Sequence, residues 1–141
     1  MPKKNKNTCP CNPETTYKEC CAIFIVGKSH PQTPEQLMRS RYTAYALANI
    51  DYIERTMKGP AAVGFDRVSA KKWAESVQWV RLKIVETRLD PNEDVGYVEF
   101  IAYYRDNDVV EKIHENSEFR REDGQWYYWD SVHSESQGEV I

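Results

Sequence analysis

Four cysteines fall within thirteen residues of a 141-residue chain, and none lies elsewhere. They stand as Cys9-Pro10-Cys11, an interval of eight residues, then Cys20-Cys21. Thiols this close in sequence can converge on one point, which is the geometry a tetrahedral metal site requires. With Cys9, Cys11, Cys20 and Cys21 as its ligands the site is closed, and therefore structural rather than catalytic. Zinc is the ion we expect, because thiolates bind it strongly enough to order a stretch that has no core of its own. The other reading is a set of free or disulfide-linked thiols. Adjacent cysteines point apart in a strand, so Cys20-Cys21 needs a turn or a helix start to bring both sulfurs inward. Asn12-Pro13-Glu14 reads as a turn followed by a helix.

The flanks of the cluster bear on compartment and partners. Lys3, Lys4 and Lys6 lead into cysteines and prolines, not into the apolar stretch of about 7–15 residues that marks a signal peptide. No apolar run approaches the ~18 residues of a membrane span. The expectation is a cytoplasmic protein without membrane association, where metal ligation outranks disulfide formation. A net charge of -3 excludes a global field favouring nucleic acid. Locally, Lys3, Lys4, Lys6 and Lys18 leave a ribosome or RNA contact as one possible partner, to be recognised by steep loss of binding with salt.

Beyond the cysteines the apolar period organises the chain. Residues 1–8 read as a flexible basic arm and 9–26 as the cysteine module. Ala22 to Val26 is apolar and reads either as a short strand or as a plug packing the module on the main domain, with Gly27-Lys28-Ser29-His30-Pro31 ending it. Thr33, Pro34 and Gln36 form a capping box. A helix follows, with Leu37, Met38, Tyr42, Tyr45, Ala46 and Ala48 at three- and four-residue spacing. A short helix over Asp51 to Met57 comes next, then loop from Ala61 to Arg67, then a helix over Ala70 to Ser76 capped by Ser69, with Trp73 and Val77 on its inner face. From Trp79 the period becomes two, which predicts strands over 79–88, 95–104, 109–121 and 125–132, the last pair joined at Asp123-Gly124. Helices first and an antiparallel meander after define an α+β domain over 33–134, helices on one face of a curved sheet. Residues 135–141 read as a tail. Four Trp, nine Tyr and four Phe supply a core in which buried Tyr seeks hydrogen-bond partners.

Cys-x-Cys, then eight residues ending in Tyr17-Lys18-Glu19, then Cys-Cys resembles the SEC-C motif, the zinc module at the C-terminus of the secretion ATPase SecA and in many other bacterial proteins. The run Thr33-Pro34-Glu35-Gln36-Leu37-Met38-Arg39-Ser40-Arg41-Tyr42-Thr43-Ala44-Tyr45-Ala46 is similar to the opening of the main domain in the YchJ family. His114-Glu115-x-Ser117-x-Phe119 and Gly124-x-Trp126-Tyr127-Tyr128 resemble that family's later blocks. The resemblance implies an N-terminal zinc module and a cystatin-like, nuclear-transport-factor-2-like (NTF2-like) cone, a superfold that hosts both enzymes and binding domains. In one respect the chain departs from the motif. Where SEC-C modules carry a Gly-Ser-Gly-Lys-Lys-like segment, it has Asn12-Pro13-Glu14-Thr15-Thr16, without the lysines behind the contacts attributed to the SecA module, to SecB or ribosomal RNA.

A cone of this kind has a cavity where the concave sheet meets the first helix. Alternation puts Glu115, Ser117 and Phe119 on the inner face, with Val98, Phe100 and Ala102 on the neighbouring strand, and turns His114 outward. An inward glutamate needs a partner, and Arg41, one turn after Leu37, is the candidate. The pair is either a stitch between helix and sheet or part of a catalytic pocket. In the second case Glu115 is a general acid or base assisted by Tyr42, Tyr45 or Asp130. His30 and His133 offer no oriented Asp–His pair, and the Trp/Tyr-rich last strand reads as packing. The leading expectation is a non-enzymatic binding protein whose zinc module docks a protein partner. Its cone would hold a small ligand or peptide, or mediate a homodimer. A small isomerase, hydratase or hydrolase using Glu115 is the alternative.

Overall fold

The computed structural model describes residues 7–136, with side chains as far as Val132. The fold is α+β. Strands β1 (Thr8–Cys9) and β2 (Asn12–Thr16) form a small antiparallel hairpin, followed by the single-turn helix α1 (Ala22–Ile25). Helices α2 (Pro34–Ala46), α3 (Ile50–Arg55) and α4 (Arg67–Ser76) come next, with a 3-10 turn at Gly59–Ala62. Strands β3 (Gln78–Leu89), β4 (Val95–Asp106), β5 (Val109–Glu122) and β6 (Gln125–Ser136) then form one meander in the order β3-β4-β5-β6. Among the described residues no helix is long and apolar enough to cross a membrane.

Local chemistry explains most of these elements. Thr33 Oγ1 accepts from the Gln36 amide at 3.1 Å, and Pro34 follows at the first helical position. Gln36 closes the box one residue early, its Oε1 accepting from Gln32 N–H at 2.7 Å. Asp123 and Gly124 have φ of 52° and 78°, the left-handed pair that a two-residue hairpin requires. Gly59 has φ of 65° and sits against the Trp129 indole, where an added Cβ would lie 2.5 Å from a ring carbon. Along β4 and β5 burial alternates strictly, with Val98, Phe100, Ala102, Ile113, Glu115, Ser117 and Phe119 inward and sealed. Helix α2 lies across this face and buries Leu37, Met38, Arg41, Tyr42 and Tyr45. On the outer face His114 pairs with Glu99 at 2.7 Å.

Several local expectations change. Asn12–Thr16 is a strand, not the start of a helix, because it pairs with Thr8–Cys9. Ala22–Ile25 is helical rather than extended; it packs as a plug, with Ile25 buried and Arg55 Nη2 donating to its carbonyl at 2.9 Å. Helix α4 begins at Arg67, since Asp66 rather than Ser69 is its cap and accepts from the amides of Val68 and Ser69. Ser69 donates its hydroxyl to the same Asp66 carboxylate. Most of the 1–8 arm and 135–141 tail lies outside the described residues. Of their described edges, Thr8 belongs to β1, and Glu135 and Ser136 to β6.

Candidate functional site

The hairpin and the turn after it bring the four thiols together. β1 and β2 flank Cys9-Pro10-Cys11, and Cys21 is the N-cap of α1 with φ -81° and ψ -18°. That helical start turns both adjacent sulfurs to one side. The Sγ–Sγ separations are 3.6 Å for Cys9–Cys11, Cys11–Cys20 and Cys11–Cys21, and 3.8 Å for Cys20–Cys21. All four sulfurs lie within 4.8 Å of one another. A tetrahedral ion with metal–sulfur bonds of ~2.3 Å places its ligand sulfurs ~3.8 Å apart. A disulfide needs ~2.05 Å. The spacing therefore fits four ligands around one ion.

Electrostatics agrees with that fit. Hydrogen bonds from the Cys11 and Cys21 side chains draw the Cys9 thiol well below its ordinary range, and contacts with Cys11 and Cys9 push Cys21 up. Negative charge crowded onto neighbouring sulfurs is opposed, and a divalent cation reverses that balance. Helix α2 supplies the surrounding shell. Thr43 Oγ1 donates to Cys21 Sγ at 3.3 Å and lies 3.5 Å from Cys9 Sγ. Arg39 Nη1 donates to the Cys11 carbonyl at 3.1 Å. Sequence reasoning missed both residues. Their signal is four-residue spacing, which puts them on one face of α2.

The opposite side of α2 faces the sheet. Arg41 is fully buried and its Nη1 donates to Ile53 O and Thr56 Oγ1, each at 2.9 Å. Its guanidinium lies over the Tyr128 ring, 4.6 Å from the centroid. Glu115 is also sealed, but the expected Arg41–Glu115 pair is not made. Glu115 Oε2 accepts instead from Ser117 Oγ and from Tyr128 Oη. The reason is register: Ser117 is two residues along the same face of β5, and Tyr128 stands on β6 opposite Phe119. Burial pushes the Glu115 carboxyl up to about 7, against the hydrogen bonds from Ser117 and Tyr128 and the Arg41 charge, which lower it.

Beside this network lies a cavity of about 490 Å³, lined by Arg41, Tyr45, Phe65, Trp73, Tyr128 and Asp130 among others. Tyr45 and Asp130 thus reach the cavity. Tyr42 packs edge-on against Trp79 at 5.4 Å, and burial raises its phenol out of the titrating range. Glu115 is not among the lining residues. The structure thus separates the candidate acid from the open space.

The fold and this site define a class: an NTF2-like domain carrying an N-terminal four-cysteine module. A family model described as the YchJ middle NTF2-like domain matches residues 33–131. UPF0225 proteins are close in sequence: that of Geobacter sulfurreducens is 43% identical over 125 residues, covering 88% of this chain and 78% of the relative. That of Actinobacillus succinogenes is 41% identical over 124 residues, covering 88% and 80%. The solution structure of a SEC-C motif containing protein from Rhodopseudomonas palustris superposes with a TM-score of 0.79 at 33% identity, over 92% of this chain and 98% of that one. The crystal structure of a SEC-C motif containing protein from Psychrobacter arcticus gives 0.79 at 27% identity, over 98% and 87%. The chain belongs to the YchJ family.

Proposed function

We propose that this is a zinc-binding, non-enzymatic binding protein in which the metal is structural and the cone cavity is the ligand site. The observation that carries the metal half is the sulfur spacing of 3.6–3.8 Å, which suits four thiolates on one tetrahedral ion. All four positions are filled by protein, so the ion has no open site for substrate. Its role is to hold the hairpin and α1 against α2. Thiolate ligands persist in a reducing compartment, which favours the cytosol. Metal content of protein purified without chelator tests this reading: one zinc per chain is expected, with no visible thiolate-to-metal absorption. Iron in its place, or thiols without metal, overturns it.

One observation favours a second reading, an enzyme built on Glu115. Its carboxyl is held up to about 7, where a group can both take and give a proton. It is sealed at 0% exposure and hydrogen-bonded to Ser117 and Tyr128, a geometry that suits a core network better than a reacting group. Screening metabolites for turnover and then testing Glu115→Gln decides between them. A turnover abolished by the substitution with the fold intact establishes the enzyme.

A further inference from the structure

Helix α2 carries a buried charge whose donors are only partly used. Arg41 Nη1 is occupied by Ile53 O and Thr56 Oγ1, while Nε and Nη2 have no hydrogen-bond partner. Those two groups point along one edge of the guanidinium as parallel N–H donors. That fork is the one a carboxylate engages with both oxygens. Arg41 is fully buried, so bulk water does not satisfy it. Glu115 does not satisfy it either, since its Oε2 is taken by Ser117 and Tyr128 and its Oε1 is itself without a partner. The face of the guanidinium is covered by Tyr128, which leaves the edge as its free side.

Arg41 stands at the wall of the cavity of about 490 Å³, whose remaining wall includes Tyr45, Phe65, Trp73 and Asp130. We propose that this cavity binds a small monocarboxylate with a flat apolar body, its carboxylate held by the Nε/Nη2 fork of Arg41. The aromatic walls match a flat body. Asp66 and Asp130 on the same wall oppose a phosphate dianion more strongly than a monoanion, and a single carboxylate matches the single charge of Arg41. The fork is sealed from solvent, so the ligand enters with a side-chain rotation. The lining includes Met57, whose unbranched side chain has the rotational freedom such an opening needs. This inference rests on the cone being the ligand site.

Calorimetric titration of the metal-loaded full chain with phenylacetate, and with neutral phenylacetamide of the same shape, tests it. Phenylacetate is expected to bind saturably, one per chain, and the amide at least tenfold more weakly. Arg41→Lys keeps the charge but loses the fork, and is expected to weaken phenylacetate at least tenfold. Ala70→Trp fills the cavity while leaving Arg41 in place, and is expected to abolish binding; if Arg41→Lys does not fold, this variant and the amide decide the matter. Equal binding of acid and amide, or an unaffected Arg41→Lys variant, would overturn the fork while leaving the cavity as a ligand site. No saturable binding by either probe overturns both.

Discussion

Among the described residues up to Val26, only Cys9, Cys11, Cys21 and Ile25 are buried apolar side chains, whereas β4 and β5 alone seal Val98, Phe100, Ala102, Ile113 and Phe119. The module has too little apolar surface to order itself, and the sheet has enough. On the function proposed above, a metal ion does for the first what the hydrophobic effect does for the second. Helix α2 belongs to both regions: Arg39 and Thr43 serve the cysteines, while Leu37, Arg41 and Tyr45 serve the cone. Two different sources of order therefore meet along one helix.

The comparison breaks most visibly if the metal is removed. Cys21→Ser or a strong chelator should unfold residues 8–26 while leaving the β4–β5 amides protected from hydrogen exchange. Loss of protection in both regions together would show that the cone depends on the metal too. From the other side, Phe119→Ala should lower global stability by about 3–5 kcal/mol through the cavity left against Tyr128. Denaturant unfolding measures it, and stoichiometric zinc should survive in the folded fraction.

Glu115 gives a smaller, pH-dependent effect. Its folded pKa, about 7, lies above the ordinary 4.5, so the folded state holds the proton more tightly. Stability contributed by the protonated form is present below about pH 4.5 and is lost as pH rises through about 7. Glu115→Gln should abolish that slope, with a difference on the order of 3 kcal/mol across the window. Parallel melting curves for both proteins from pH 5 to 8 would refute the shift. The smallest effect is expected at Thr43→Val, which removes the hydroxyl donated to Cys21 Sγ. Metal affinity should fall about tenfold in a competition titration, and Thr43→Ser should restore it.

Much of this architecture was legible in local pattern. Period-two alternation put Glu115, Ser117 and Phe119 on one inner face, and the capping residues Thr33 and Pro34 marked the start of α2. Misreadings came where two local signals competed. Asp66 and Ser69 are both good caps, and the upstream aspartate took both amides. Ala22–Ile25 is apolar without a period, too short to distinguish strand from helix, and the turn at Cys20-Cys21 made it a helix. Neither Thr43 nor Arg39 announced a role, because nothing in α2 itself shows that the cysteine module lies against that face.

By itself, then, the sequence determined the clustering of four cysteines in one short stretch, the α+β order of elements in the main domain and the inward faces of β4 and β5. Those depend on spacing along one segment, where backbone geometry converts distance in sequence into direction in space. The tertiary structure alone decided which groups meet: Tyr128 rather than Arg41 on Glu115, Thr43 on Cys21, and an Arg41 fork left open beside a cavity. Such meetings join residues from separate elements. They are set by strand register and by how α2 crosses the sheet, and a displacement of one residue would exchange every partner.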